Sequence, residues 1–303
     1  MTELSREILE NYQVRKTKKQ KNAFIAFMQA HISHMQVQEM GFPKSRNLVI
    51  GDPESAKVIL GAHYDTCARL PYPNFITPKK PVISILYSIL VILPYLVLIF
   101  LLNLLLNYLQ VDYWLHYWLS LGCYGLCMCL LLAGPANKHT ANDNTSGVIT
   151  LLEIYDALPE DQRNEVCFVF FDNEEIGVIG SGQFRRKYKK IIKDKLLINF
   201  DCVSDGDTFL LGISKTANQK YHVPIARAFT STECKAVLLE NLKKVYYPSD
   251  QAGFPMAIAV AALKYKKPFG YYMNRIHTKR DTVFEEDNIA YLTQRTITFI
   301  ESM

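Results

Sequence analysis

Val166 to Gly182 reads VCFVFFDNEEIGVIGSG, and this stretch decides the fold. Val166 to Phe171 has the length and the aromatic, β-branched composition of a buried strand. It stops at Asp172-Asn173-Glu174-Glu175, and glycines punctuate the segment from there to Gly182. Adjacent carboxylates at the end of a buried strand are costly unless something positive meets them. A divalent metal with a water to activate meets that need, one Glu binding the metal and its neighbour handling the proton. The alternative is a charged loop after a strand, and the rest of the chain decides between the two.

Upstream, Lys57 to Ala62 (KVILGA) is a second buried strand, ending at His63-Tyr64-Asp65-Thr66. A His at a strand end can bind metal through one ring nitrogen. The Asp two residues on lies on the same side of an extended chain and can hold the other nitrogen. Downstream, Asn142-Asp143-Asn144-Thr145-Ser146-Gly147 opens an apolar helix, Val148 to Leu158, that Pro159 ends. Asp143 is placed to cap that helix. Lys195 to Phe200 is a strand ending at Asp201, and Gly270 to Met273 leads into Ile276-His277-Thr278 and Asp281-Thr282.

The flanks complete the pattern. Residues 3 to 32 read as amphipathic helix, with Leu4, Ile8, Leu9 and Tyr12 on one apolar side and Phe24, Phe27, Met28 and Ile32 on another. Met35 to Glu39, Asn47 to Ile50 and Phe209 to Ile213 are strand-like, and residues 221 to 241 look helical from near Pro224. Ala257 to Leu263 reads as strand or short helix, and a helix closes the chain from about Asn288 to Glu301. Alternating strands and helices predict an α/β fold with a mixed, mostly parallel central sheet flanked by helices, its ligands gathered at the carboxyl ends of the strands.

His63, Glu174, Glu175 and Asp201 follow strand-like runs, Asp143 sits at a helix start, and His277 sits in a loop after a strand-like run. The ligand-type side chains therefore converge on one rim. Two histidines, three carboxylates and a spare glutamate suit two zinc ions sharing one carboxylate. One ion takes His63 and Asp201, the other takes Glu175 and His277, and Asp143 bridges them. Glu174 is left free to deprotonate the water and later protonate the leaving amine, while Asp65 orients His63. Cobalt or manganese also fits such donors.

Between the first two motifs the composition changes. Pro81 to Val111 holds no charged residue and exceeds the ~20 apolar residues that a bilayer requires. After Asp112, Tyr113 to Ala136 is uncharged apart from His116, which reads as interfacial rather than as a ligand. The pair predicts a transmembrane helical hairpin, residues 81–137, inserted into one discontinuous domain of residues 1–80 and 138–303. Lys79, Lys80 and Lys138 flank its open end, and Tyr108, Tyr113, Trp114, Tyr117 and Trp118 cluster at its tip. Positive flanks place the open end and its domain on the cytoplasmic side of the cell membrane.

The 303 residues suffice for one large α/β domain or two small ones, and the net charge of +5 is mild. The basic runs Arg15 to Lys21, Arg185 to Lys195 and Lys264 to Lys267 read as solvated helix faces rather than a nucleic-acid surface, with contact to the cytoplasmic leaflet a third reading. Seven scattered cysteines without a Cys-x-x-Cys pair suit a reducing compartment. The polar N-terminal stretch lacks the apolar run of a signal peptide.

The ordered set HYDT, NDNTSG, FFDNEEIGVIGSG, NFDCVS and IHTKRDT resembles the co-catalytic di-zinc aminopeptidases of peptidase family M28, over everything but the hydrophobic insertion. The resemblance implies a zinc-exopeptidase-like fold and a peptide substrate. It implies ligands at His63, Asp143, Glu175, Asp201 and His277, a general base at Glu174, and a supporting role for Asp65. Chain position puts a specificity pocket near Ser249, Asp250, Phe254, Tyr271, Tyr272 and Ile276. The insertion departs from the family's short loop and suggests substrates associated with the membrane. Other amide chemistry on the same site (carboxypeptidase, dipeptidase or glutaminyl cyclase) and a non-catalytic membrane scaffold are the competing readings.

Overall fold

A computed structural model describes residues 1–132 and 134–303. Nine strands form one sheet: β1 (Gln36–Met40), β2 (Ser45–Ile50), β3 (Val58–His63), β4 (Val166–Phe171), β5 (Leu196–Phe200), β6 (Thr208–Ile213), β7 (Ala236–Asn241), β8 (Ala257–Lys266) and β9 (Gly270–Tyr272). The order is β1-β2-β4-β3-β5-β8-β6-β7, with β9 paired to β8. The centre, β4-β3-β5-β8, is parallel. β1, β2, β6 and β9 each add antiparallel pairings, so only half of the eight pairings are parallel. The sheet is mixed as expected, with its parallel part confined mainly to the middle.

Nine α-helices accompany the sheet among the described residues: α1 (Glu3–Asn11), α2 (Lys18–His31), α3 (Pro81–Tyr108), α4 (Tyr113–Leu132), α5 (Gly147–Ala157), α6 (Glu160–Arg163), α7 (Ile179–Lys187), α8 (Lys215–Ala228) and α9 (Glu286–Glu301). The central strands are apolar on both faces because both faces are covered. Phe168 and Phe170 of β4 pack with Phe24, Met28, Ile149 and Phe299 from helices on one side. Cys167, Val169 and Phe171 pack with Phe184 of α7 on the other.

Three expectations need correction. The N-terminal helix is two helices, because Thr17 caps α2 in a reciprocal pair with Gln20 and interrupts the run. The turn between them carries Arg15, which is fully buried, and Lys21 of α2 is buried as well. Those two members of the basic run are therefore not on a solvated face. Residues 221 to 241 are not one helix either. Ser214 caps α8 well upstream, non-helical backbone at Tyr221 makes room for Pro224 inside it, and Ala236–Asn241 pairs with β6 as an edge strand.

α3 is long and apolar enough to cross a membrane, and nearly all of its apolar side chains face outward. Pro94 lies inside it. α4 packs on α3 through Asn103, whose Oδ1 accepts from Ser120 Oγ at 2.9 Å and lies 2.7 Å from His116 Nε2. His116 thus sits between two helices rather than simply at an interface. The expected second span, Tyr113 to Ala136, extends beyond α4, and Ala133 with the side chains of residues 130–132 lies outside the described residues. Tyr108, Tyr113, Trp114, Tyr117 and Trp118 are exposed around the connection.

Candidate metal centre

The ends of β3, β4 and β5 deliver His63, the Asp172–Glu175 loop and Asp201 to one rim. Asp172 and Asn173 anchor that loop to the scaffold. Lys21 Nζ donates to Asp172 Oδ1 at 2.5 Å and to Asn173 Oδ1 at 2.7 Å, and the Arg46 backbone N–H donates to Asp172 Oδ2 at 2.8 Å. A Cβ on Gly180 would stand 2.2 Å from Asp172 O, so α7 approaches this closely only with glycine there. Glu174 and Glu175 are the members of the acidic run left to face the site.

Asp143 occupies a short π-helical turn, Ala141–Ser146, and its peptide to Asn144 is cis. It does not cap α5. Asn144 instead meets the first backbone N–H of that helix, its Oδ1 accepting from Gly147 N and from Cys202 N, each at 3.1 Å. Asn142 Oδ1 accepts from Ser204 N at 2.8 Å and from Asp205 N at 3.0 Å. The two asparagines thus stitch the turn to the loop after β5 and leave the middle carboxylate free. Asp281 accepts the Asn142 and Asp143 backbone N–H groups at 2.9 and 3.0 Å and orients that carboxylate from behind.

Asp143 splits its two oxygens between two histidines. Oδ1 lies 3.4 Å from His63 Nε2, which is also 3.5 Å from Asp201 Oδ1. Oδ2 lies 3.1 Å from His277 Nε2, which is also 3.2 Å from Glu175 Oε2. All five expected ligands are therefore brought together. Burial alone would raise Asp143, but His277 and His63 outweigh it and hold its carboxyl well below the usual range. Burial raises Glu174 well above the ordinary carboxyl range, opposed by His63 and reinforced by Glu175, Asp250 and Asp201.

Asp65 acts differently from expectation. His63 Nδ1 lies 3.0 Å from the Asp65 backbone carbonyl, while the nearer carboxylate oxygen is 3.7 Å away. The carboxylate instead accepts the backbone N–H groups of Glu174 at 2.9 Å and Glu175 at 3.3 Å. It orients the acidic loop, and its backbone orients the histidine.

The donor set fits metal. Glu175 Oε1 and Asp201 Oδ1 are buried and accept no hydrogen bond among the described residues, and the same is true of both oxygens of Asp250. Such a concentration of buried carboxylate requires compensating positive charge. His63, Asp143 and Asp201 form one group whose ligand atoms lie within 4.8 Å of one another, as they do in Cys67, Glu175 and His277. Imidazole and carboxylate donors suit zinc.

A cavity of about 230 Å³ opens on these groups, with Ile76, Val178 and Ile276 as apolar wall and Glu174 among its lining. Of the residues expected in the pocket only Ile276 lines it. Asp250 and Ser249 are buried, Ser249 against Asn199, and Phe254 packs in the core near Phe171. Tyr271 and Tyr272 pack on Tyr265 and on Phe75 respectively. Sequence reasoning missed Ile76 and Asn74, which also lines the cavity, because their segment has no periodicity to read. It placed Asp250 in the pocket wall rather than buried with both oxygens unpartnered, read Arg15 as solvated, and missed the role of Asp281. The last was visible as the aspartate that ends IHTKRD.

The sequence pattern of Peptidase family M28 matches residues 129–298. A probable leucine aminopeptidase of Arthroderma otae is 28% identical over 155 residues, which cover 48% of this chain and 43% of that relative. The match therefore spans less than half of the relative's length. In fold the chain is similar to the glutaminyl cyclase of Porphyromonas gingivalis, with a TM-score of 0.57 and 17% identity over 99% of this chain and 95% of that one. A Zn-dependent exopeptidase from Parabacteroides distasonis gives 0.53 and 14% over 99% and 96%. The LapA aminopeptidase of Legionella pneumophila gives 0.54 and 13% over 98% and 68%.

Proposed function

The chain belongs to peptidase family M28, and from that membership we propose a membrane-anchored, zinc-dependent aminopeptidase that removes N-terminal residues from peptides. The observation that carries the reading is Asp143, one carboxylate with an oxygen turned to each of two histidine-centred ligand groups. That arrangement supports two zinc ions, one held by His63, Asp201 and Asp143, the other by Glu175, His277 and Asp143. When bound, the ions supply Lewis-acid polarisation of the scissile carbonyl and acidify the attacking water. Glu174 takes the proton from that water and returns it to the nitrogen of the leaving peptide. Asp65 holds the Glu174 and Glu175 backbone in register, so base and ligand keep one spacing.

The anchor is α3 together with α4, a two-span hairpin whose open end and catalytic domain lie on the cytoplasmic side. Its support is the outward-facing apolar surface of α3, the exposed aromatic residues near the connection, and the lysines Lys79, Lys80 and Lys138 at the other end. The hairpin leaves and returns beside the ligands, which favours peptides emerging from or resting on the bilayer as substrates.

Turnover in nanodiscs with zinc supplied tests the reading, comparing wild type with Glu174→Gln on peptides with free and acetylated N-termini. Single residues released only from free N-termini, and lost in Glu174→Gln with metal retained, is the expected result. Ammonia release from an N-terminal Gln peptide without cleavage would transfer the reading to cyclisation, the second chemistry favoured by the fold's likeness to a glutaminyl cyclase.

A further inference from the structure

Cys67 lies two residues beyond Asp65, at the neck of the insertion, and is 2% exposed. It has no partner cysteine and is a free thiol. Its Sγ, a Glu175 oxygen and a His277 ring nitrogen all lie within 4.8 Å of one another. Glu175 is also deeply buried and keeps Oε1 without a hydrogen bond among the described residues. Backbone bonds hold Cys67 in this place: its carbonyl accepts from Asn137 N at 3.1 Å, and the next residue bridges to Ala136.

We propose that Cys67 is a fourth protein donor to the ion held by Glu175, His277 and Asp143. The proposal rests on the two-ion reading and deepens it. As the sulfur–metal bond forms, the thiol proton leaves to solvent. The two positions then differ in kind. With the thiolate the ion beside Cys67 would have four protein donors, whereas the other would have three, His63, Asp201 and Asp143, and so would contribute more of the Lewis acidity towards the water. A thiolate also biases the Cys67 position towards zinc and away from magnesium or manganese, which prefer oxygen donors.

The test uses the full chain in detergent, stripped by chelator and titrated with cobalt(II). Wild type should bind two ions and develop a near-ultraviolet thiolate-to-cobalt charge-transfer band. Cys67→Ala and Cys67→Ser should lose the band and bind one of the two ions at least about tenfold more weakly. Cys202→Ser is the control for the thiol beside Asp201 and should keep the band. Two cobalt ions in wild type without the band, or a band that persists in Cys67→Ala, overturns the proposal while leaving the two-ion reading intact. A wild type that takes up only one ion overturns both. The wild-type spectrum needs no variant, so a misfolded substitution does not rescue the idea.

Discussion

Asp143 is the residue on which the centre depends, and its neighbours explain why the run is Asn-Asp-Asn. Both asparagines spend their side chains on the loop after β5, so the aspartate between them has no competing partner in the scaffold. Asp143→Asn replaces one shared oxygen by an amide nitrogen that cannot ligate. Metal analysis after zinc loading should fall from two ions per chain to one or none, with the fold retained by circular dichroism. Arg15 makes the opposite kind of contribution. Its guanidinium donates to Tyr64 O, to Tyr12 O and at 3.2 Å to Thr145 Oγ1, bracing the strand that carries His63 against the turn that carries Asp143. Arg15→Met fills the volume but strands buried carbonyls, so stability should drop by about 3 kcal/mol in denaturant titration. Unchanged stability would mean that these carbonyls find water.

At the scale of elements, the His277 loop is held by the two ends of the insertion. The entering strap supplies Leu70 N to His277 O at 2.8 Å, Asn74 N to Ile276 O at 3.3 Å, and paired bonds between Ile76 and Met273. The returning strap supplies Asn137 Nδ2 to Thr278 O at 3.0 Å. His277 itself adopts a positive φ of 63°, a conformation that a non-glycine residue keeps only when its surroundings enforce it. Asn137→Ala removes the returning hold, and binding of one of the two ions, followed by calorimetry, should weaken about tenfold while the other is unaffected. This coupling was not legible in the sequence, because the straps have no periodicity and their bonds are mostly backbone to backbone. The strand ends were legible for the opposite reason. KVILGAH and VCFVFFDN change abruptly from apolar to ligand-bearing, and β3 and β4 end within a residue of where that change predicts. The edge strand β7 was not, since AVLLEN is half exposed and rich in helix-forming residues.

For the molecule as a whole, the question is how an apolar pair of helices sits beside a charged rim of ligand-type side chains. The exposed faces of α3 and α4 form a hydrophobic surface far larger than a soluble monomer keeps. The lysines beside α3 do not project freely from it. Lys79 Nζ pairs with Glu240, and Lys80 Nζ donates to Pro268 O at 2.7 Å. The domain is thereby fastened to the first turn of α3 and, on the proposed hairpin, follows it to the side that the open end occupies. On the proposed two-span reading, positive charge at that end and none at the connection predicts that the domain and its ligand rim face the cytoplasm. Cys234, exposed on the domain, reports this directly. In a background with the other cysteines replaced, a membrane-impermeant maleimide should label it only after the cells are opened, whereas a cysteine placed at the connection by Asp112→Cys should be labelled in intact cells. Labelling of both in intact cells would remove the two-span arrangement. Labelling of Cys234 alone would invert the topology and place the ligand rim on the outer face, where the proposed peptidase would meet different peptides.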